Sequence, residues 1–324
     1  MKLLKMMTLL LVVLAVSPLS FAAEKVRVGA LKFGTVNWEL STIKRYQLDT
    51  NNGIDLEIVP FASGGAAKVA FQGGAVDIFV SDYLWVSRQR TEGKDVTIAP
   101  YSSSVGALMV PPDSDIRSLS DLGGKNIGVA GGPLDKGWLI LRALSQSRHG
   151  ADPAQSASPQ YGAPPLINKK LEQGELDAAL SFWHWCARLE AQGYRRVMPV
   201  EEAARELGVP RRVPLLGYVF AESWATKKPQ AIAGFLRASR QAKAILRNDD
   251  AAWESLRELT RAKDEATFIT FRKRFREGIP TSFGDADIAA AAELYAILAN
   301  TGGKKLVGDS AVLAAGTFWS GALF

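Results

Sequence analysis

Cysteine and histidine are almost missing from this chain of 324 residues, which has one cysteine, Cys186, and two histidines, His149 and His184. A single thiol excludes any intramolecular disulfide. Two imidazoles and one thiolate also fall short of the four nitrogen and sulfur ligands that hold a structural zinc ion. Long apolar runs are scarce as well. The longest, LLLVVLAV at 9–16, is too short to cross a bilayer comfortably, and no later stretch is long and apolar enough. Strong charge of one sign is missing too: 39 Lys and Arg face 33 Asp and Glu, a formal net charge of +6. The densest basic run, RKRFR at 272–276, falls on a helical pattern in which Phe268, Phe271 and Phe275 share a face. It reads as the solvated side of an amphipathic helix and not as a nucleic-acid patch.

What is there begins with an export signal. Lys2 and Lys5 precede the apolar run, and Ser20-Phe21-Ala22 supplies a small-x-small cleavage site. These are the three parts of a secretory signal peptide over residues 1–22, with a retained N-terminal anchor as the alternative. No cysteine lies near the cleavage point, which excludes a lipoprotein anchor. Removing Lys2 and Lys5 lowers the formal charge from +6 to +4. A mature chain of roughly 300 residues beginning at Ala23 can bury its apolar surface without disulfides, in two lobes.

Along that chain apolar runs alternate with helical patterns, which predicts α/β architecture with mainly parallel sheets. Strands are expected at VRVGA (26–30), LEIVPF (56–61), DIFV (77–80), VTIA (96–99), ALMV (107–110) and LLGYVFA (215–221). From 227 onward the chain reads as amphipathic helix. One unit is used twice. Gly74, Asp77, Ser81, Trp85, Arg88 and Gly93 return as Gly174, Asp177, Ser181, Trp185, Arg188 and Gly193 at a constant offset. The shared pattern is helix, Gly-x-x-Asp, short apolar strand, serine and an aromatic-rich helix, one copy for each of two lobes.

Three segments then carry a family resemblance: FASGGAAKVAFQGGAVDIFVSD (61–82), DSDIRSLSDLGGKNIGVAGGPLDKGWLILRAL (113–144) and LEQGELDAALSFWHWCARL (171–189). In order and spacing they resemble the periplasmic substrate-binding proteins of ABC importers, in the nitrate/sulfonate/taurine group. The resemblance implies a two-lobed type II periplasmic binding protein fold, with mainly parallel sheets flanked by helices and a ligand cleft between the lobes. Crossover strands are expected near 105–110 and 215–221. Lobe one would comprise 23–107 and 218–324, and lobe two 108–217. The chain lacks a glycine-rich phosphate loop with its lysine, so it is not the ATPase of such a system. The implied partners are a small-molecule ligand and an inner-membrane permease, the protein itself being a monomer with no cofactor, metal or nucleic acid.

In open α/β sheets ligands sit beyond the carboxyl ends of strands, where helix N-termini present free N–H groups. That rule selects Ser63-Gly64-Gly65 and Gly131-Gly132-Pro133, each between a strand end and a helix start, with tight turning as the plainer reading of their glycines. It also selects Trp38 after the first strand, Ser81 and Asp82 after the third, Ser103 and Ser104 after the fourth, and Tyr161 at a short lobe-two strand. Helix capping is the plainer reading for Ser81 and Asp82, and loop polarity for the serines. The resemblance further implies that Ser181 and Trp183 face the ligand, with Trp185 shared between cleft and core. His184 and Cys186 lie two apart at a helix start and point differently, so a nucleophile pair has little geometric support. Cys186 reads as a small buried hydrophobe.

The expected solute is a small organic anion, sulfonate-like, whose apolar part rests on tryptophan. Lys32 and Lys136 are candidate positive charges, and Asp82 is a candidate partner for an amine on the ligand. The strand ends offer too few carboxylates for a metal cargo. Two other readings stay open: an enzyme like the pyrimidine synthases of the same fold, although their cysteine-rich motif is missing here, and a sensor that hands ligand to a receptor.

Overall fold

The alternating pattern folds into two five-stranded sheets. The computed structural model describes residues 23–322, so the expected signal peptide at 1–22 lies outside the described residues. The strands are β1 (Glu24–Leu31), β2 (Ile54–Phe61), β3 (Ile78–Asp82), β4 (Thr97–Ser102), β5 (Ala107–Val110), β6 (Asn126–Ala130), β7 (Ser158–Gly162), β8 (Ala178–Ser181), β9 (Arg195–Pro199) and β10 (Leu216–Phe220). The longer helices are α1 (Val36–Arg45), α2 (Gly64–Gln72), α3 (Tyr83–Thr91), α4 (Lys136–His149), α5 (Pro164–Glu172), α6 (Trp183–Ala191), α7 (Val200–Glu206), α8 (Pro229–Asn248), α9 (Glu265–Glu277) and α10 (Asp285–Gly302).

Sheet one has the order β2-β1-β3-β10-β4, and sheet two the order β7-β6-β8-β5-β9. Each is built on three parallel strands, with β1 between β2 and β3 and β6 between β7 and β8. Each also takes in one antiparallel strand that has just crossed from the other sheet. β5 follows β4 of sheet one yet pairs with β8 and β9, while β10 follows sheet two yet pairs with β3 and β4. The chain therefore passes between the sheets twice, at 103–106 and 207–215.

Two apolar clusters fill the sheets. Val26, Val28, Ile54, Leu56 and Ile78 pack with Tyr218, Phe220 and Phe235 of α8. On sheet two, Leu108, Ile127, Val129 and Leu180 meet Trp138 and Leu141 of α4. Each fully buried aliphatic side chain of this kind contributes about 1.5–3 kcal/mol, and the second cluster also takes in Phe79, Ile98 and Val219 of sheet one, so it holds the two sheets together.

The C-terminal helices do not stay with sheet one. Phe271 and Phe275 of α9 join Trp38 of α1, Trp183 of α6 and Trp253 in one aromatic cluster. Arg274 of α9 also pairs with Glu190 of α6 at 2.5 Å. Next to α10, Leu306 and Leu139 of α4 crowd Gly302 so closely that a Cβ there would lie 2.8 and 2.9 Å from them. Helices expected to belong to one lobe thus grip the helices of the other on both flanks of the cleft.

Candidate functional site

A cavity of about 360 Å³ lies between the sheets. Sheet one contributes Leu31 at the end of β1, Thr35 and Val36 at the start of α1, Gly64 at the start of α2, and Asp82 at the end of β3. Sheet two contributes Asp135, Lys136 and Gly137 at the start of α4, then Ser181, Phe182, Trp183 and His184 at the start of α6. Both crossovers form its back, through Ser104, Val105, Gly106, Leu215 and Leu216. Close approach there needs glycine: a Cβ on Gly106 would lie 1.7 Å from the Ser181 carbonyl oxygen.

Six of the helices, α1, α2, α3, α4, α6 and α7, begin at this cavity, and their first turns differ. The Ala66 N–H donates to Ser63 Oγ at 3.1 Å, capping α2, and the Trp138 N–H donates to Asp135 Oδ1 at 3.0 Å, capping α4. Thr35 before α1 and Phe182 before α6 make no side-chain cap. The positive end of α6 is therefore left to whatever occupies the cavity.

Three residues of the lining carry a polar atom buried without a partner, Ser104 Oγ, Ser181 Oγ and His184 Nδ1, and the first of these lies against Gly278, off the lining. Native interiors rarely leave such atoms unpaired, since each costs about 1–3 kcal/mol. Burial, with the Arg188 charge added, pushes His184 down to about 4, so the ring is a neutral donor and acceptor near pH 7. Cys186 is turned away. Its thiol donates to the Ser181 carbonyl at 3.1 Å, and burial raises its pKa.

One ion pair crosses the cavity. Lys136 Nζ donates to Asp82 Oδ2 at 3.0 Å, while Asp82 Oδ1 accepts the Trp85 N–H at 2.9 Å and caps α3. Burial works against the Asp82 charge, but Lys136 and the Trp85 N–H outweigh it and hold the carboxyl below its usual range. Lys136 is likewise opposed by burial and raised by Asp82. Asp135 has no such cation bonded to it, and burial raises its pKa.

Of the expected site residues, the fold brings Gly64, Asp82, Ser104 and Trp183 together on the lining. Trp38 goes elsewhere. It is 4% exposed, with Trp183 and Trp253 rings at 5.7 Å, so it is core behind the cavity and not a platform for ligand. Ser63 spends its hydroxyl on the α2 cap, and Gly65 beside it lies off the lining. Ser81 is buried within sheet one, paired with Gly217. The Ser103 hydroxyl donates to the Gly278 carbonyl at 3.2 Å. Gly131 and Gly132 lead into α4 without reaching the lining, and Tyr161 sits exposed on β7, the outer strand of sheet two. Sequence reasoning passed over His184, Asp135 and Phe182. For His184 the signal was present, as it is the second residue of the helix that starts just past Ser181 at the strand end.

The NMT1/THI5-like family model matches residues 50–252. The chain belongs to the NMT1/THI5-like family. No curated protein sequence matches it. Among solved structures, this NMT1/THI5-like protein is similar to the aliphatic sulphonate-binding protein SsuA of Escherichia coli, with TM-score 0.73 and 19% identity over 92% of each chain. The alkanesulfonate-binding protein SsuA of Xanthomonas axonopodis pv. citri, bound to MOPS, gives a TM-score of 0.68 at 19% identity, covering 92% of this chain and 99% of that one. A desulfurization enzyme, DszB, gives 0.56 at 14% identity, covering 91% and 97%. The fold is thus that of the two-lobed periplasmic binding proteins, a scaffold that also carries an enzyme.

Proposed function

We propose that this protein is the extracytoplasmic solute-binding component of an ABC importer, exported by its first 22 residues, and that it captures a small organic anion with an apolar part. The observation that carries the reading is the pair of unpartnered buried polar atoms on Ser181 and His184, two lining residues at the start of α6, beside a cavity between the two sheets. The anionic head would sit at the uncapped start of α6, against the Ser181 hydroxyl, where N–H groups and the helix dipole favour negative charge. The apolar body would lie along Leu31, Phe182 and Trp183. The lobe limits 23–107, 108–217 and 218–324 serve this reading, with the last segment bracing both lobes. Among the described residues no helix is long and apolar enough to cross a membrane, which suits a carrier that meets its permease from outside.

Binding is favoured over turnover by the state of the nucleophile candidates. Ser104 and Ser181 have no base hydrogen-bonded to them, and the Cys186 thiol points at backbone carbonyls. Native mass spectrometry of protein purified without added ligand identifies the solute, and calorimetry with sulfonates, carboxylates and amines ranks it. Micromolar binding of a cation with no response to any anion would overturn the anionic assignment, and chemical conversion of the bound compound would favour an enzyme.

A further inference from the structure

Among the described residues lining the cavity, Lys136 is the one cation, and it is already engaged. Its partner Asp82 comes from the opposite sheet, 54 positions away in the chain. Asp135, a second carboxylate, stands at the neighbouring position and caps the same helix that Lys136 begins. Lys68 also feels Asp82, but its ammonium lies 5.0 Å over the Trp85 ring, and Lys68 is off the lining. Two carboxylates therefore flank one ammonium, Asp82 from across the space in which the solute would sit and Asp135 from its own side.

We propose that Asp82 is a charge filter: by holding Lys136 in an ion pair across the cleft, it removes the cation a dianion would need and selects singly charged solutes over sulfate or phosphate. The inference rests on the cleft being the solute site and adds a residue that sets its selectivity. A single negative charge can be met by the start of α6 and the Ser181 hydroxyl without any cation. A second negative charge would meet Asp82 and Asp135 between the two sheets, where like charges repel. Specificity here comes from a repulsive element and not from a better contact with the accepted ligand. The same carboxylate caps α3, so Asp82 cannot turn away to release Lys136 without uncapping that helix.

Asparagine and serine can both cap a helix while carrying no charge, which makes Asp82→Asn and Asp82→Ser the informative variants. The mature chain is titrated calorimetrically with propane-1-sulfonate, which carries one charge, and inorganic sulfate, which carries two. In both variants sulfate affinity is expected to rise about tenfold or more over wild type, because Lys136 is set free in a low-dielectric site. Adding Lys136→Gln to either variant returns sulfate affinity to the wild-type level. Unchanged sulfate affinity in a variant that melts within a few degrees of wild type overturns the proposal, and so does a gain that survives Lys136→Gln. The readout is a change in sulfate affinity, so it is decided whatever solute the mass spectrum reveals, and the two readings fail separately.

Discussion

The two copies of the Gly-x-x-Asp unit are alike up to one residue and then diverge. Gly74 and Gly174 turn at φ +72° and +74°. Asp77 accepts the Arg27 N–H at 2.8 Å, and Asp177 accepts the Asn126 N–H at 2.7 Å, each tying its strand to the first strand of its sheet. Ser181 then ends β8, and Ser81 stands one residue before the end of β3. At the next position one copy has Asp82, which caps α3 and holds Lys136, and the other has Phe182, which caps nothing. Two positions further the first copy has Leu84, 1% exposed in the core, and the second has His184 on the cavity. The first unit satisfies itself. The second leaves its helix start, serine and imidazole open.

The largest expected effect tests whether the first helical residue of each unit is structural. Trp183 is 8% exposed among Trp38, Phe271 and Phe275, and its counterpart Tyr83 is fully buried. Trp183→Ala and Tyr83→Ala should each cost about 3–5 kcal/mol in chemical denaturation. A loss below about 1 kcal/mol for Trp183→Ala alone would make that ring a ligand platform and not core.

Next comes the pH dependence of the second unit. The folded His184 stays neutral because burial lowers it to about 4 from 6.5. Above pH 6.5 both folded and unfolded states are uncharged, and stability is fully present. As pH falls from 6.5 to 4 the unfolded chain takes up a proton that the folded one refuses, and up to about 3 kcal/mol is lost. His184→Leu, which copies Leu84, should flatten that slope in melts run across the range.

Phe182→Asp would make the second unit resemble the first. A new cap on α6 should stabilise the fold by about 1 kcal/mol. The carboxylate would also occupy the proposed anion position, so affinity for propane-1-sulfonate should fall about tenfold or more in calorimetry. Tighter anion binding would mean that the head group sits elsewhere. The smallest effects should be equal in the two units: Gly74→Ala and Gly174→Ala each cost about 1 kcal/mol, read as matching drops in melting temperature, because alanine resists a positive φ.

Much of this fold is legible because its devices are local. The left-handed glycine, the aspartate three residues later and the alternating strand lie within a few positions of one another, so their spacing carries their geometry. The apolar runs at 107–110 and 215–221 predicted strands in the same local way, but only the family resemblance implied that the chain crosses between lobes near 105–110 and 215–221. The site was harder to read. Rules about strand ends located Ser104, Asp82 and Gly64 but also selected Trp38, Tyr161 and Ser103, which occupy comparable chain positions and spend themselves on the core, on solvent or on a carbonyl. His184 was set aside with Cys186 because a nucleophile pair looked geometrically poor, although the imidazole had its own reason to be there.

By itself the sequence determined two α/β units, their helix caps and the positions where backbone must turn left-handed, because each depends on neighbours within a turn of helix or a strand. Only the tertiary structure decided that Lys136 meets Asp82 across the cleft and that Trp38 packs behind Trp183 with aromatics from α9. Hydrophobic periodicity says that a side chain is buried, and charge says that it needs a partner. Neither says which distant partner, because that choice is made by how two sheets and the helices bracing them come to rest on one another.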